Sequence, residues 1–285
     1  MLHEAKKRTC QTASTSASEQ MAVSLIFGIS LNHMKTIEEL ITELLFADDC
    51  VFLTHMEEAL QHIVNCFSDA AKSIGLTISL KKTEVLYQSP PWEAYSPPHI
   101  SINDTNLNAV EHFTYLGSII SNDATVTKDM NNWLSKASSS FGRLSKTAWQ
   151  SHLLCLSTKI QVYRAILVPT LLYDAETWTL CQKQIKLLEW FHQHCLRSIL
   201  GIKWQDHMSN KEVLKKASLP SIEFTFLQVQ LCWAGHITRM EYLHMPKAVF
   251  FSELQEGKCD HGASRKHYED KLKRQLAQAE ISHQS

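Results

Sequence analysis

Asp48 and Asp49 stand side by side between two apolar runs, Leu44-Leu45-Phe46 and Cys50-Val51-Phe52-Leu53. Adjacent acids on a turn can offer hard oxygen ligands to Mg²⁺, which phosphoryl-transfer sites commonly hold through one or two carboxylates plus the substrate's phosphates. Asp is equally at home in a tight turn with no ligand, because it tolerates the backbone conformations a turn demands. From the dipeptide alone both readings stand. In either case the flanking residues predict two strands with the Asp pair at the hairpin tip.

The second candidate is a set of cations. Lys128, Lys136, Arg143, Lys146, Lys159 and Arg164 face a single acid in that stretch, Asp129. Lys136 and Arg143 are two helical turns apart, so they are expected on one side, away from the Trp133/Phe141 stripe, where they could track a phosphate backbone. An ordinary solvated helix face has the same composition. The fifteen histidines lack the paired spacing of a zinc site. His192 and His194, two apart on an expected helix, should point to different sides. Trp133, Trp149, Trp178, Trp190, Trp204 and Trp233 fall on helical stripes and read as core residues before base-stacking platforms. No Gly-rich phosphate loop, Gly-x-Ser-x-Gly or His-Glu-x-x-His motif is present.

These residues need elements to hold them. Thr36 with Glu39 suggests a capped helix leading to a strand near Glu43. A helix is expected through Ala59, Leu60, Ile63, Val64, Phe67, Ala71 and Ile74, stopped by Gly75. Strands follow at Leu76 to Ser79 and Thr83 to Tyr87, separated by Lys81-Lys82. Pro90, Pro91, Pro97 and Pro98 mark a connector, and a second small hairpin is expected between Ile100 and Leu116, with an Asn103-Asp104 turn and closure at Gly117. From about Thr125 the period is helical: a Met130-to-Ala148 stripe, a helix from Ile160 interrupted at Pro169, then helices at Ile185–Leu200, Ser209–Ala217 with a Ser209/Glu212 capping box, and Ile222–Met240.

The totals narrow the classes. With 28 Lys and Arg against 29 Asp and Glu, the chain is not coated in positive charge, so any nucleic-acid surface is local. Eight scattered cysteines without a Cys-x-x-Cys pair read as reduced thiols, which implies an intracellular protein, nuclear or cytoplasmic and not secreted. The apolar run Met21 to Leu31 is shorter than the ~20 residues that span a bilayer, so no membrane partner is expected and the run reads as a buried strand or helix remnant.

Three neighbouring stretches, Phe46-Ala47-Asp48-Asp49, Gly75 to Glu84 and Tyr115-Leu116-Gly117-Ser118, together resemble the reverse transcriptases of LINE-type, non-LTR retrotransposons. Leu171 to Trp178, Leu196 to Trp204 and Trp233 to Met240 are similar to that family's region after the palm, so the likeness runs from about Thr36 to Leu254. The resemblance implies an α+β fold: a partial palm of β-hairpins plus one helix, followed by a mainly helical thumb-like C-terminal region. It implies four segments: a disordered or remnant 1–35, the partial palm 36–120, the helical region 121–255 and a charged tail 256–285. By the same resemblance Asp48 is the catalytic metal ligand with Asp49 beside it, Mg²⁺ the cofactor, and RNA template and DNA primer the partners. Lys82 would lie near the incoming nucleotide, where a cation assists the leaving pyrophosphate. Tyr115, Leu116 and Gly117 would form the primer grip. Ser79 stands where many relatives carry Asn.

Polymerase chemistry of this type also needs a carboxylate from an earlier palm strand. The acids ahead of the hairpin, Glu4, Glu19, Glu38, Glu39 and Glu43, lie in no such motif. The expectation is therefore the C-terminal part of a retrotransposon RNA-directed DNA polymerase, without the fingers and first acidic motif, inactive by itself unless another chain supplies the missing half-palm. Uncovered apolar surface would then favour self-association. Two other readings remain: a non-catalytic nucleic-acid-binding remnant using residues 128–164, and a helical protein-interaction module or unselected relic.

Overall fold

A computed structural model describes residues 20–27, as a strand path, and 43–88, 98–123, 125–241, 244–250, 268 and 272. They fall into two compact units, one within residues 1–30 and 41–113, the other continuing from Thr114. The expected capped helix at Thr36 and the Pro90 to Pro97 connector lie outside the described residues.

The first unit is built on a mixed sheet of β1 (Gln20–Phe27), β2 (Glu43–Phe46), β3 (Asp49–Thr54), β4 (Thr77–Ile78), β5 (Glu84–Tyr87) and β8 (Asn108–Val110). The order is β2-β3-β1-β5-β8, with β4 pairing the start of β1. Only β2 runs antiparallel to its neighbour; β1 is parallel to β3, β4 and β5, and β5 to β8. The run from Met21, expected as a buried strand or helix remnant, is thus a central strand.

One helix, α1 (Glu57–Ser73), joins β3 to β4. Its buried face, Leu60, Val64, Ser68 and Ala71, repeats at three- and four-residue steps. Leu60 and Val64 close a core with Cys50, Phe52, Val85, Ile100, Ile102 and Leu107. Gly75, at φ +78°, ends the helix as its sequence position suggested. Gln61 then acts as a surrogate strand edge: its Oε1 accepts from Ser101 N at 2.9 Å and its Nε2 donates to Ser101 O at 2.8 Å.

The expected single hairpin between Ile100 and Leu116 is two hairpins. Asn103 and Asp104, both at positive φ, turn β6 (Ser101–Ile102) into β7 (Thr105–Asn106). β9 (His112–Tyr115) and β10 (Ser118–Ser121) meet at Leu116-Gly117, also both at positive φ. Positive φ at both central residues is the pattern of the two-residue turn that matches strand twist. β8 intervenes and joins the main sheet.

The second unit is helical: α2 (Thr127–Arg143), α3 (Leu156–Val162), α4 (Val168–Leu171), α5 (Gln182–Leu200), α6 (Asn210–Ala217), α7 (Ile222–Arg239) and α8 (Met245–Phe250). The stripe expected to run unbroken to Ala148 breaks after Arg143, where Ser145–Trp149 forms a wide π turn. Pro169 does not stop its helix. A second π turn, Tyr163–Leu167, precedes it, and such widening makes room for a ring that would otherwise strike the carbonyl four residues back. Trp133, Trp149, Tyr163, Leu167, Trp178, Leu188, Leu196, Val213 and Phe226 are among the residues of the core. Ser209 and Glu212 form the expected capping box on α6, with Ser209 N donating to Glu212 Oε2 at 2.8 Å.

Candidate active site

Phe46 pairs with Asp49 across the β2–β3 hairpin, so its two-residue turn is Ala47-Asp48. The tip therefore carries Asp48 alone; Asp49 is already the first residue of β3. Ala47 takes the strained position at φ +52° and leaves Asp48 on the exposed corner. Asp49 is half-buried. Successive side chains of a strand face opposite sides, so a carboxylate on the turn and one opening the strand leave the backbone in different directions.

The electrostatics of this corner are acidic. Burial pushes the Cys50 thiol up, and the charges of Asp49, Asp48 and Glu43 push it further in the same direction. Asp48 and Asp49 suit one or two positions on a Mg²⁺ that brings its own waters and phosphates. Among the described residues no group of three or more His, Cys, Asp or Glu could hold a metal ion.

Lys82 lies on the turn between β4 and β5, exposed, its N–H donating to Ser79 O at 3.0 Å. Buried Thr83 closes the same turn, its hydroxyl donating to Ser79 O at 2.9 Å. The register of β1 relates this turn to the hairpin: Met21 pairs with Ile78, Ala22 with Asp49 and Ser24 with Glu84. Asp49 and the 79–83 turn therefore flank the same end of β1, on strands two spacings, about 10 Å, apart. This is the grouping of Asp48, Asp49 and Lys82 that sequence spacing alone could not supply.

Tyr115, Leu116 and Gly117 belong to the β9–β10 hairpin. Leu116 is exposed at the tip, and a Cβ on Gly117 would lie 3.4 Å from Trp133 Cζ2 and 3.6 Å from Tyr173 Cε1. Those two rings are 4.3 Å apart. The hairpin is seated by Asp129, which is buried and takes Ile119 N at 2.9 Å on Oδ1 and Trp178 Nε1 at 2.9 Å on Oδ2. Ser118 Oγ also donates to Asp174. Sequence reasoning passed over Asp129, which looked like the odd acid in a basic stretch.

The cations are engaged in different ways. Lys136 does not turn away from the tryptophan stripe: its ammonium sits 3.6 Å over the Trp133 ring, because a residue three positions on lies on the same face of the helix. Arg143 is exposed and donates to Ser140 Oγ at 3.2 Å. Lys159 is committed to the carbonyl of Trp149 at 2.8 Å. Lys128 is half-buried, and its charge helps to lower the Asp123 carboxyl, chiefly lowered by a hydrogen bond from Ser121. Lys146 and Arg164 are exposed, each on a π turn. The tryptophans also divide: Trp178 and Trp149 are core, but Trp190 is 64% and Trp204 80% exposed, against the expectation of burial.

With that geometry in place, residues 20–120 match the family described as reverse transcriptase (RNA-dependent DNA polymerase). This part of the chain, which contains the described strands up to the penultimate residue of β10, is similar to reverse transcriptases. Over 207 residues the chain is 23% identical to a transposon-derived protein of Caenorhabditis elegans, covering 70% of this chain and 72% of that one. Over 188 residues it is 22% identical to the RNA-directed DNA polymerase from the mobile element jockey of Drosophila melanogaster, covering 62% of this chain and 20% of the relative. No solved structure matches significantly. No described helix is long and apolar enough to cross a membrane.

Proposed function

We propose that the chain derives from a retrotransposon RNA-directed DNA polymerase of the LINE type, retains the C-terminal part of its palm within residues 36–120 and a thumb-like helical region over 121–255, and does not copy RNA alone. The observation that carries this is the Asp48 hairpin, with Asp49 and the Lys82 turn at one end of β1, inside the stretch similar to reverse transcriptases. Asp48 presents a carboxylate on an exposed corner, suited to the outer position of a metal ligand, and Asp49 supplies a second at the strand end. Mg²⁺, when bound, would stabilise charge on a transferring phosphoryl group. Lys82 is the cation placed to meet a leaving pyrophosphate, and the Leu116-Gly117 tip to bear on a primer strand paired to an RNA template. Two-metal chemistry needs a further carboxylate to bridge both ions, and the acids ahead of the hairpin, Glu4, Glu19, Glu38, Glu39 and Glu43, stand in no motif that would supply it; the proposal of inactivity rests on that reading of the sequence. Primer extension on an RNA template with Mg²⁺ or Mn²⁺ tests the reading. No synthesis is expected; template-dependent synthesis abolished by Asp48→Ala would overturn it.

A second reading, nucleic-acid binding without catalysis, is favoured by the exposed Arg143, Lys146 and Arg164. No described acid forms an ion pair with any of them. It predicts binding that weakens steeply with salt.

A further inference from the structure

A cavity of about 370 Å³ opens beside α5 and the start of α6 in the helical unit, and none of the candidate site residues named above lines it. Lys186, Trp190, His194 and Arg197 line it at steps of four, four and three residues, so they form one stripe along a single helix face roughly 16 Å long. Its centre is aromatic: the exposed Trp190 ring lies nearly parallel to His194, 16° between planes and 5.5 Å between centroids. Its two ends are cationic.

The cationic end at Arg197 is rigid. One guanidinium nitrogen, Nη2, donates to Met208 O at 2.8 Å and to Asn210 Oδ1 at 2.9 Å, which fixes the plane and leaves the Nε and Nη1 donors for a ligand. The wall is equally fixed. Glu189 Oε2 accepts from Ile222 N at 3.0 Å, and Glu189 Oε1 takes the Gln193 amide nitrogen at 2.8 Å. Because a carboxylate needs a donor, this orients Gln193 with Oε1 at the free end, and that oxygen has no hydrogen-bond partner although the residue is only 4% exposed. Glu189 keeps its negative charge, so the lining sets two cations, Lys186 and Arg197, against one carboxylate whose oxygens are turned to the Ile222 and Gln193 N–H groups.

We infer that this stripe is a binding site for single-stranded nucleic acid, in which an unstacked base lies on Trp190 and the flanking phosphates meet Lys186 and Arg197. Alternating cations and an exposed flat ring are what sequence-tolerant single-strand recognition requires, since every base has a π face and every nucleotide a charge. A duplex keeps its bases stacked and cannot use Trp190. The inference depends neither on Asp48 chemistry nor on the cations of residues 128–164.

Fluorescence anisotropy of the full chain tests it with three labelled probes: a single-stranded octanucleotide, an abasic strand with the same number of phosphates, and a blunt duplex. The octanucleotide is expected to bind most tightly. Trp190→Ala should weaken it about tenfold, the scale of one lost base–aromatic stack, and Trp190→Phe should restore most of the loss. The abasic strand should bind the parent chain and Trp190→Ala equally. Lys186→Ala should reduce the salt slope by about 0.7. Trp190 is exposed, so its substitution leaves the core intact, which an unchanged thermal melt verifies. Repeating the series in Lys136→Ala/Arg143→Ala separates this site from the other cations: the Trp190 effect should persist. Equal binding by Trp190→Ala, an equal loss on the abasic strand, or displacement by an eight-glutamate peptide as effective as by the octanucleotide would each overturn the assignment.

Discussion

Asp129 accepts the indole N–H of Trp178 at 2.9 Å across 49 positions of sequence, and its other oxygen holds the backbone of Ile119. A buried carboxylate thereby seats both the β9–β10 hairpin and the segment entering α5. Asp129→Leu removes the acceptor and strands one buried donor, Trp178 Nε1, and one half-buried donor, Ile119 N, so a loss of about 2–4 kcal/mol is expected. A urea titration followed by tryptophan fluorescence checks this; a midpoint within error of the parent would contradict the role.

The tip of that hairpin is strained at Leu116, an exposed branched-chain residue at φ +50°. Leu116→Asn should stabilise by about 1 kcal/mol, since Asn visits the left-handed region at lower cost. Gly117→Ala should do the reverse, adding a Cβ at φ +95° and 3.4 Å from the Trp133 ring. Thermal melts of the pair should therefore shift in opposite directions.

His192 is buried, with its Nδ1 2.8 Å from the Tyr163 hydroxyl and its Nε2 3.2 Å from the Pro220 carbonyl. Burial pushes the His192 pKa down and the Tyr163 pKa well up, so the neutral pair is the folded form. In the unfolded chain the imidazole takes its proton near pH 6.5. Stability contributed by the neutral ring is thus complete above that pH and declines as pH falls from it toward the lower folded value, by at most about 1.4 kcal/mol per pH unit. Urea midpoints at pH 7.5 and 5.5 should differ less in His192→Gln than in the parent.

Cys155 is fully exposed, and hydrogen bonds from Ser157 first and Thr158 second bring its pKa down to about 7. Cys195, buried in the core, is pushed up to about 12. Iodoacetamide at pH 7 should label Cys155 before Cys50, Cys66, Cys181 and Cys232 and leave Cys195 untouched in the folded protein. Ser157→Ala with Thr158→Val should slow the Cys155 reaction, as read by peptide mapping.

Much of the local architecture was legible in the sequence because its causes lie within a few residues. Gly75 stops α1, Ser209 and Glu212 cap α6, and the runs around Asp48 pair as strands for reasons of backbone conformation and hydrophobic period alone. The turn itself shifted by one residue, since cross-strand register is set by the pairing of Phe46 with Asp49 and cannot be read from composition.

What only the tertiary structure decided is which polar groups are spent on folding and which are left for function. Asp129, alone among cations, becomes the buried support, whereas Asp48 stays on an open corner. Lys136 covers Trp133, and Trp190, indistinguishable by period from its buried counterparts, faces outward between two cations. Periodicity specifies that a helix has a face to bury; the partners that cover it, tens of residues away in the chain, determine which side chains that face contains.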